Sequence, residues 1–168
     1  MFPTKILLAT DGSAEAERAA RAAKTISERL ESELHPVRVA PMPDPGAWPK
    51  ATLFDHNLLL QAREQVESEG RAVIDRQGHK LKAMGTEIAG SRLLVGRPDA
   101  EIVRPAEEPG SGLVIVGTRG LGAARRAVMR SVSGGVLWHA LCPVLVARGV
   151  RRRDPVAKQG ARPEQEAG

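Results

Sequence analysis

Two stretches of this sequence carry residue types suited to an anionic ligand. The first, Ala9-Thr10-Asp11-Gly12, follows the apolar run Ile6-Leu7-Leu8-Ala9 and sets a carboxylate where a buried strand would reach solvent. The second, Gly117-Thr118-Arg119-Gly120-Leu121-Gly122, follows Leu113-Val114-Ile115-Val116. It leads into Arg125, Arg126 and Arg130, with no acid between Gly117 and Gly135. Glycines let backbone N–H groups come close to phosphate oxygens and arginines supply charged donors. A helix beginning near Ser131 would turn its positive end to the same place. Each feature also has a plainer use. Asp11 can cap the helix that starts beside it, the glycines can end a strand and turn a loop, and Arg125 and Arg126 can simply face water.

Other chemistries find little support. His35, His56 and His79 do not fall at metal-ligand spacing with cysteines or carboxylates, and His139 reads as a helix-terminal or packing residue. Cys142, the single cysteine, has no partner for a disulfide or a thiolate metal site, which fits a reducing compartment. No nucleophile stands beside a general base, and the eight-residue phosphate loop with its lysine is absent. The residues describe a binding site rather than a catalytic centre.

Periodicity supplies the scaffold. The three apolar runs Ile6–Ala9, Leu113–Val116 and Val144–Ala147 are continuous, as expected of parallel strands covered on both faces. Val37–Ala40 and a strand within Glu87–Val95 are more polar and belong nearer an edge. Ala16, Ala19, Ala23, Ile26, Leu30 and Leu34 recur at helical spacing, as do Leu59, Ala62, Val66, Gly70 and Val73. The first helix opens at Asp11-Gly12-Ser13, with Ser13 able to cap it and Glu15 and Glu17 in its first turn. The second runs from about His56 to Met84 and should be weakened at Gly70 and Gly78. A third starts at Pro98 and ends before Pro109-Gly110, and a fourth covers Val132–Leu141. Strands alternating with helices predict an α/β fold, a doubly wound five-stranded parallel sheet with helices on both faces.

Composition bounds the rest. With 168 residues, 42% of them apolar, the chain fits one domain over 1–148 and a basic, polar tail over 149–168, expected to be disordered. The proline-rich stretch Pro41–Lys50 reads as a surface loop holding Trp48, and Trp138 as a core or interface residue. The start of the chain resembles a strand, not a signal peptide, and no run is long enough to span a membrane. The expectation is a cytoplasmic protein. A formal charge of +5 and a pI near 10.0 would suit nucleic acid, but aromatic residues are only 2%, so base-stacking platforms are lacking. Part of the excess is local, since the tail alone carries Arg151, Arg152, Arg153, Lys158 and Arg162.

The chain resembles the universal stress protein family through Ile6–Ser13, Val95-Gly96-Arg97-Pro98, Val114–Gly120, Ser131-Val132-Ser133, His139-Ala140 and Cys142–Val146. That resemblance, covering about residues 3 to 148, implies strand order 3-2-1-4-5, a homodimer through the last strand and, in one branch, bound ATP. The ATP-binding branch carries Gly-x-x-Gly, nine residues, then Gly-Ser or Gly-Thr. Here Gly117, Gly120 and Ser131 match, and Arg130 stands where the branch has glycine. By resemblance, Asp11 and the backbone around Ala9, Thr10 and Val39 face adenine and ribose, and Val116 closes the base pocket. Gly117, Arg119 and Gly120 line ribose and phosphates. Ser131 and Val132 hold the terminal phosphates, where a magnesium ion could accompany the nucleotide. Arg130 then weakens ATP. Three functions stay open: a nucleotide-binding stress or signalling module, a dimeric interaction protein of the non-nucleotide branch, and a slow ATP-hydrolysing enzyme.

Overall fold

The structure, a computed structural model, describes residues 5–42, 56–118 and 132–148. The tail after Arg148, most of the proline-rich stretch with Trp48, and Arg119, Gly120, Arg125, Arg126, Arg130 and Ser131 lie outside the described residues. Along the chain come β1 (Lys5–Ala9), α1 (Ala14–Leu30), β2 (Glu33–Ala40), α2 (His56–Ala83), β3 (Arg92–Val95), α3 (Pro98–Ala106), β4 (Ser111–Gly117), α4 (Val132–His139) and β5 (Val144–Ala147). The strands form one sheet in the order β3-β2-β1-β4-β5, and every described pairing is parallel.

Alternation along the strands divides the core. Ile6, Leu8, Leu34 and Ile115 face α1 and the end of α2, meeting Ala19, Ala20, Ala23 and Leu81. Leu7, Val37, Val39, Val114 and Val116 face the other way, against Ile102 and Ala106 of α3 and Val136 of α4. Successive strand residues therefore serve opposite layers, which is why the central strands read as unbroken apolar runs. Val144–Ala147 is equally apolar but lies at an edge, with all four residues only part-buried. Its run alone does not distinguish it from a central strand.

Local chemistry explains most helix ends. Ser13 caps α1, its hydroxyl accepting from the Ala16 N–H at 3.2 Å, and Glu15 and Glu17 occupy the first turn. The helix stops at Leu30, where Glu31 takes a left-handed conformation (φ 51°) and its N–H bonds back to the Ser27 carbonyl. Leu34 continues the helical spacing by coincidence. It is a wholly buried residue of β2.

No interruption of α2 occurs, and the helix is continuous through Gly70 and Gly78. Gly70 serves close packing instead. A Cβ there would lie 2.6 Å from Leu93 Cδ1 and 3.2 Å from Ala40 Cβ, so α2 sits directly on β2 and β3. Lys80 of α2 pairs with Glu17 of α1 and holds that carboxyl below the usual carboxylate range. On the opposite face, Gly135 of α4 receives Asp99 of α3, whose Cβ is 2.6 Å from where an alanine Cβ would be. Trp138 is not in the core, being 86% exposed.

Candidate functional site

β1 and β4 are hydrogen-bonded neighbours, yet their chains leave the sheet on different sides. β1 turns into α1 on one face, and the next described element after β4, α4, lies on the other. Such a divergence at the carboxyl ends of parallel strands opens a crevice. Ala9 ends β1, Val116 lies one residue beyond Ile115, the register partner of Leu8, and Val39 is on β2; all three belong to the α3–α4 side of the sheet. Gly117 closes β4, and Val132, 41% exposed, opens α4.

The turn from β1 into α1 is tightly tied. The Thr10 N–H donates to the Val37 carbonyl at 2.9 Å, extending the β1–β2 ladder by one residue. Gly12 has φ 77°, a left-handed conformation that a side chain would strain, and its N–H reaches Thr10 Oγ1 at 3.3 Å. Asp11 then accepts from the Ser13 N–H at 3.0 Å through Oδ1. Ser13, not Asp11, supplies the helix cap. Asp11 forms a side-chain turn that fixes its carboxylate at the end of β1.

The sequence-predicted residues divide in their behaviour. Ala9, Asp11, Val39, Val116, Gly117 and Val132 are brought to the carboxyl end of the sheet or to the start of α4. Thr10 is there too, but its side chain is buried and donates to Gln77 Oε1 of α2 at 3.3 Å, so only its backbone remains for a ligand. Gly117 has an internal duty as well. A Cβ on it would stand 3.0 Å from the carbonyl carbon and oxygen of Glu15 and 3.3 Å from the Ala16 nitrogen. The first turn of α1 thus rests on the end of β4. Arg119, Gly120, Arg130 and Ser131 fall outside the described residues.

Two participants were missed in the sequence. Gln77 anchors the Thr10 turn from α2. Arg38 stands on β2 between Val37 and Val39, part-buried, with its Nε enclosed and without a hydrogen-bond partner among the described residues. Burial lowers its affinity for the proton, and the Asp11 charge raises it. The signal was a lone charge inside a strand whose neighbours are all apolar or proline from Pro36 to Ala40. Elsewhere, burial pushes the Cys142 thiol up and disfavours the reactive thiolate. No group of three or more metal-ligating side chains occurs among the described residues. An open hollow of about 350 Å³ runs along α3 past Arg97, Val103, Arg104 and His139. Another of about 440 Å³ lies at the turn between α2 and β3. Neither gathers the residues described above.

A doubly wound parallel sheet whose strand order reverses between β1 and β4 defines a class of small α/β proteins. Within that class, the universal stress protein family model matches residues 3–148, and the chain belongs to that family. It is 36% identical to a universal stress protein of Thermus aquaticus over 151 residues, covering 88% of this chain and all of that one. It is 29% identical over 147 residues to the universal stress protein YxiE of Bacillus subtilis, covering 86% and 98% of the two. The universal stress protein UspA from Lactobacillus plantarum superimposes with a TM-score of 0.70 at 22% identity, covering 88% and 99%. A family member from Burkholderia pseudomallei does so with a TM-score of 0.57 at 30% identity, covering 86% and 96%.

The close seating of α1 on Gly117 yields a prediction free of any ligand. Gly117→Ala presses a methyl group against helix backbone, which cannot rotate away, and should cost about 1–3 kcal/mol. Thermal unfolding without nucleotide should show a drop of several degrees. An unchanged midpoint would mean that the glycine is not required for this contact.

Proposed function

We propose that the crevice between the ends of β1 and β4 binds an adenine nucleotide, and that the protein acts as a stress-response or signalling module whose partner contacts depend on that ligand. The observation that carries the reading is the Asp11 carboxylate, fixed by the Ser13 N–H at the sheet's switch point. A carboxylate so held is a ready acceptor for ribose hydroxyls. Ala9, Val39 and Val116 offer apolar contact for the base, and the backbone at Gly117 and Val132 offers donors. A fold neighbour, a universal stress protein solved in complex with cAMP, has a TM-score of 0.61 at 22% identity over 88% of this chain, so the same architecture accommodates an adenine nucleotide.

In this reading Arg119, Gly120, Arg130 and Ser131 complete the phosphate end, with magnesium accompanying a triphosphate. The protein binds without turning the nucleotide over rapidly. Arg130 replaces the glycine of the ATP-binding motif, adding charge while taking up space beside the phosphates. Three arginines already lie in the same segment, so lost space outweighs the added cation. Arg130→Gly should tighten ATP about tenfold, equivalent to about 1.4 kcal/mol, with a smaller gain for AMP. Calorimetric titration of both variants with both nucleotides tests this. Tighter ATP binding by the unmodified chain would make Arg130 a ligand-binding group and reverse the argument.

A second reading, the dimeric interaction protein, is favoured by the surface of α4 and its exit. Leu137 is 58%, Trp138 86% and Leu141 85% exposed, and β5 is an edge strand among the described residues. A parallel sheet edge flanked by such residues invites a partner, and a second copy can pair with it isologously. We therefore infer a homodimer through β5 in either reading. No helix among the described residues is long and apolar enough to cross a membrane. We place the protein in the cytoplasm, with no nucleic-acid role. Sedimentation at micromolar concentration should show a dimer, and a stable monomer would contradict it.

A further inference from the structure

One stripe of α2 follows β1 out of the core and into the turn that bears Asp11. Leu81 joins the buried cluster of Ile6 and Leu8. One helical turn earlier, Gln77 is 3% exposed, and its Oε1 accepts from the Thr10 hydroxyl at 3.3 Å. One turn earlier again, Val73 lies against Gly12, where a Cβ would stand 3.2 Å from Val73 Cγ1. Residues four apart share a helix face, so positions 73, 77 and 81 meet successive points along β1 and its exit.

The Thr10 hydroxyl is the joint between the helix and the turn. It donates to Gln77 Oε1 and accepts from the Gly12 N–H at 3.3 Å, so the chain is closed around Asp11 through one oxygen. The Thr10 N–H is held besides by the Val37 carbonyl at 2.9 Å, and Asp11 Oδ1 accepts from the Ser13 N–H at 3.0 Å. A hydroxyl turns to suit its partners. A buried acceptor on α2 fixes which way this one points, and with it the place of the Gly12 N–H.

Two buried polar side chains are a poor choice if packing is their only use. Ile74 and Leu81 of the same helix bury apolar surface, and an apolar pair of similar shape at 10 and 77 would be nearly as stable as the hydrogen-bonded one. What the bond adds is direction. The Lys80–Glu17 pair also joins α2 to α1, but both side chains are exposed, and such pairs hold little.

Resting on the nucleotide reading above, we propose that Gln77 is a positioning residue: through the Thr10 hydroxyl, α2 braces the turn on both sides of Asp11 and holds the carboxylate where a ribose hydroxyl meets it. Gln77 lies a layer behind the ligand and does not touch it. A binding group keeps its geometry when the residues behind it are themselves locked by packing and hydrogen bonds, and Gln77 is locked in this way.

The test uses the full chain, calorimetric titration with AMP, and thermal unfolding without ligand. Gln77→Met keeps the length of the side chain and removes the acceptor, and should weaken AMP about tenfold. Thr10→Val should do the same, and the two together should weaken AMP no further than either alone, as expected of residues acting as one unit. The combined variant should regain most of the unfolding midpoint lost in Gln77→Met, because no hydroxyl is left buried without its acceptor, yet its AMP affinity should stay low. Recovery of affinity together with stability overturns the proposal, since Gln77 would then serve packing alone. So does an additive loss of about a hundredfold in the combined variant, or AMP binding within about threefold of the unmodified chain in Gln77→Met. Should Gln77→Met fail to fold, the combined variant carries the same test, and failure of both to fold makes the bond a structural one and overturns the proposal. If the unmodified chain does not bind AMP at millimolar concentration, the nucleotide reading itself fails and this inference with it; if it binds and Gln77→Met binds equally well, only this inference fails.

Discussion

The hydrogen-bonded pairing of β1 with β4 at the centre of the sheet is the contact on which the rest depends. Leu7 and Leu8 of β1 lie beside Val114 and Ile115 of β4, and these four residues supply apolar surface to both layers at once. Because parallel strands need crossovers, each chain must leave the carboxyl end of its strand for one face or the other. Here the two central strands are associated with opposite faces. Burial that stabilises the fold therefore also sets the divergence of the two chains at its rim. The Thr10–Gln77 bond, the left-handed Gly12 and the Asp11–Ser13 turn hold the β1 side of that rim. The first turn of α1, seated on Gly117, joins it to the end of β4.

Close approach recurs as the means of assembly. Gly70 admits α2 to the β2–β3 surface, Gly117 admits α1 to β4, and Gly135 admits Asp99 of α3 to α4. Interiors at crystal-like density leave no slack at such points, so these glycines fix where each helix starts relative to the sheet rim.

Much of this was legible in the residues. The three apolar runs and the first two helices follow from periodicity and the last two helices from their proline boundaries, and the strand order implied by family resemblance agrees with the sheet. The misreadings have physical causes. Leu34 kept helical spacing past the true end of α1, because spacing cannot show that Glu31 turns left-handed. Gly70 and Gly78 suggested weak points in α2, since propensity treats glycine as a cost and is blind to the neighbour its missing Cβ admits. Of the two places open to Trp138, core or interface, the core is excluded, because it projects from the exposed side of α4. For the site, Asp11 and Gly117 were visible through their types and places. The α1 contact of Gly117 was not, because it depends on a distance between segments, and the turn bond of Asp11 was not, because type and position alone do not separate it from a helix cap. Arg38 was missed, since strand spacing does not show that its Nε would be enclosed.

The central claim is that an adenine nucleotide occupies the gap between β1 and β4. The most direct measurement is a titration of the ¹⁵N-labelled chain with AMP, followed through backbone amide resonances. The account predicts saturable shifts concentrated at Thr10, Asp11, Val39, Gly117 and Val132, with the outer surfaces of α2 and α3 unaffected. Absence of saturable shifts at millimolar AMP, or shifts centred on the α3–α4 groove near Arg104 and His139, would contradict it.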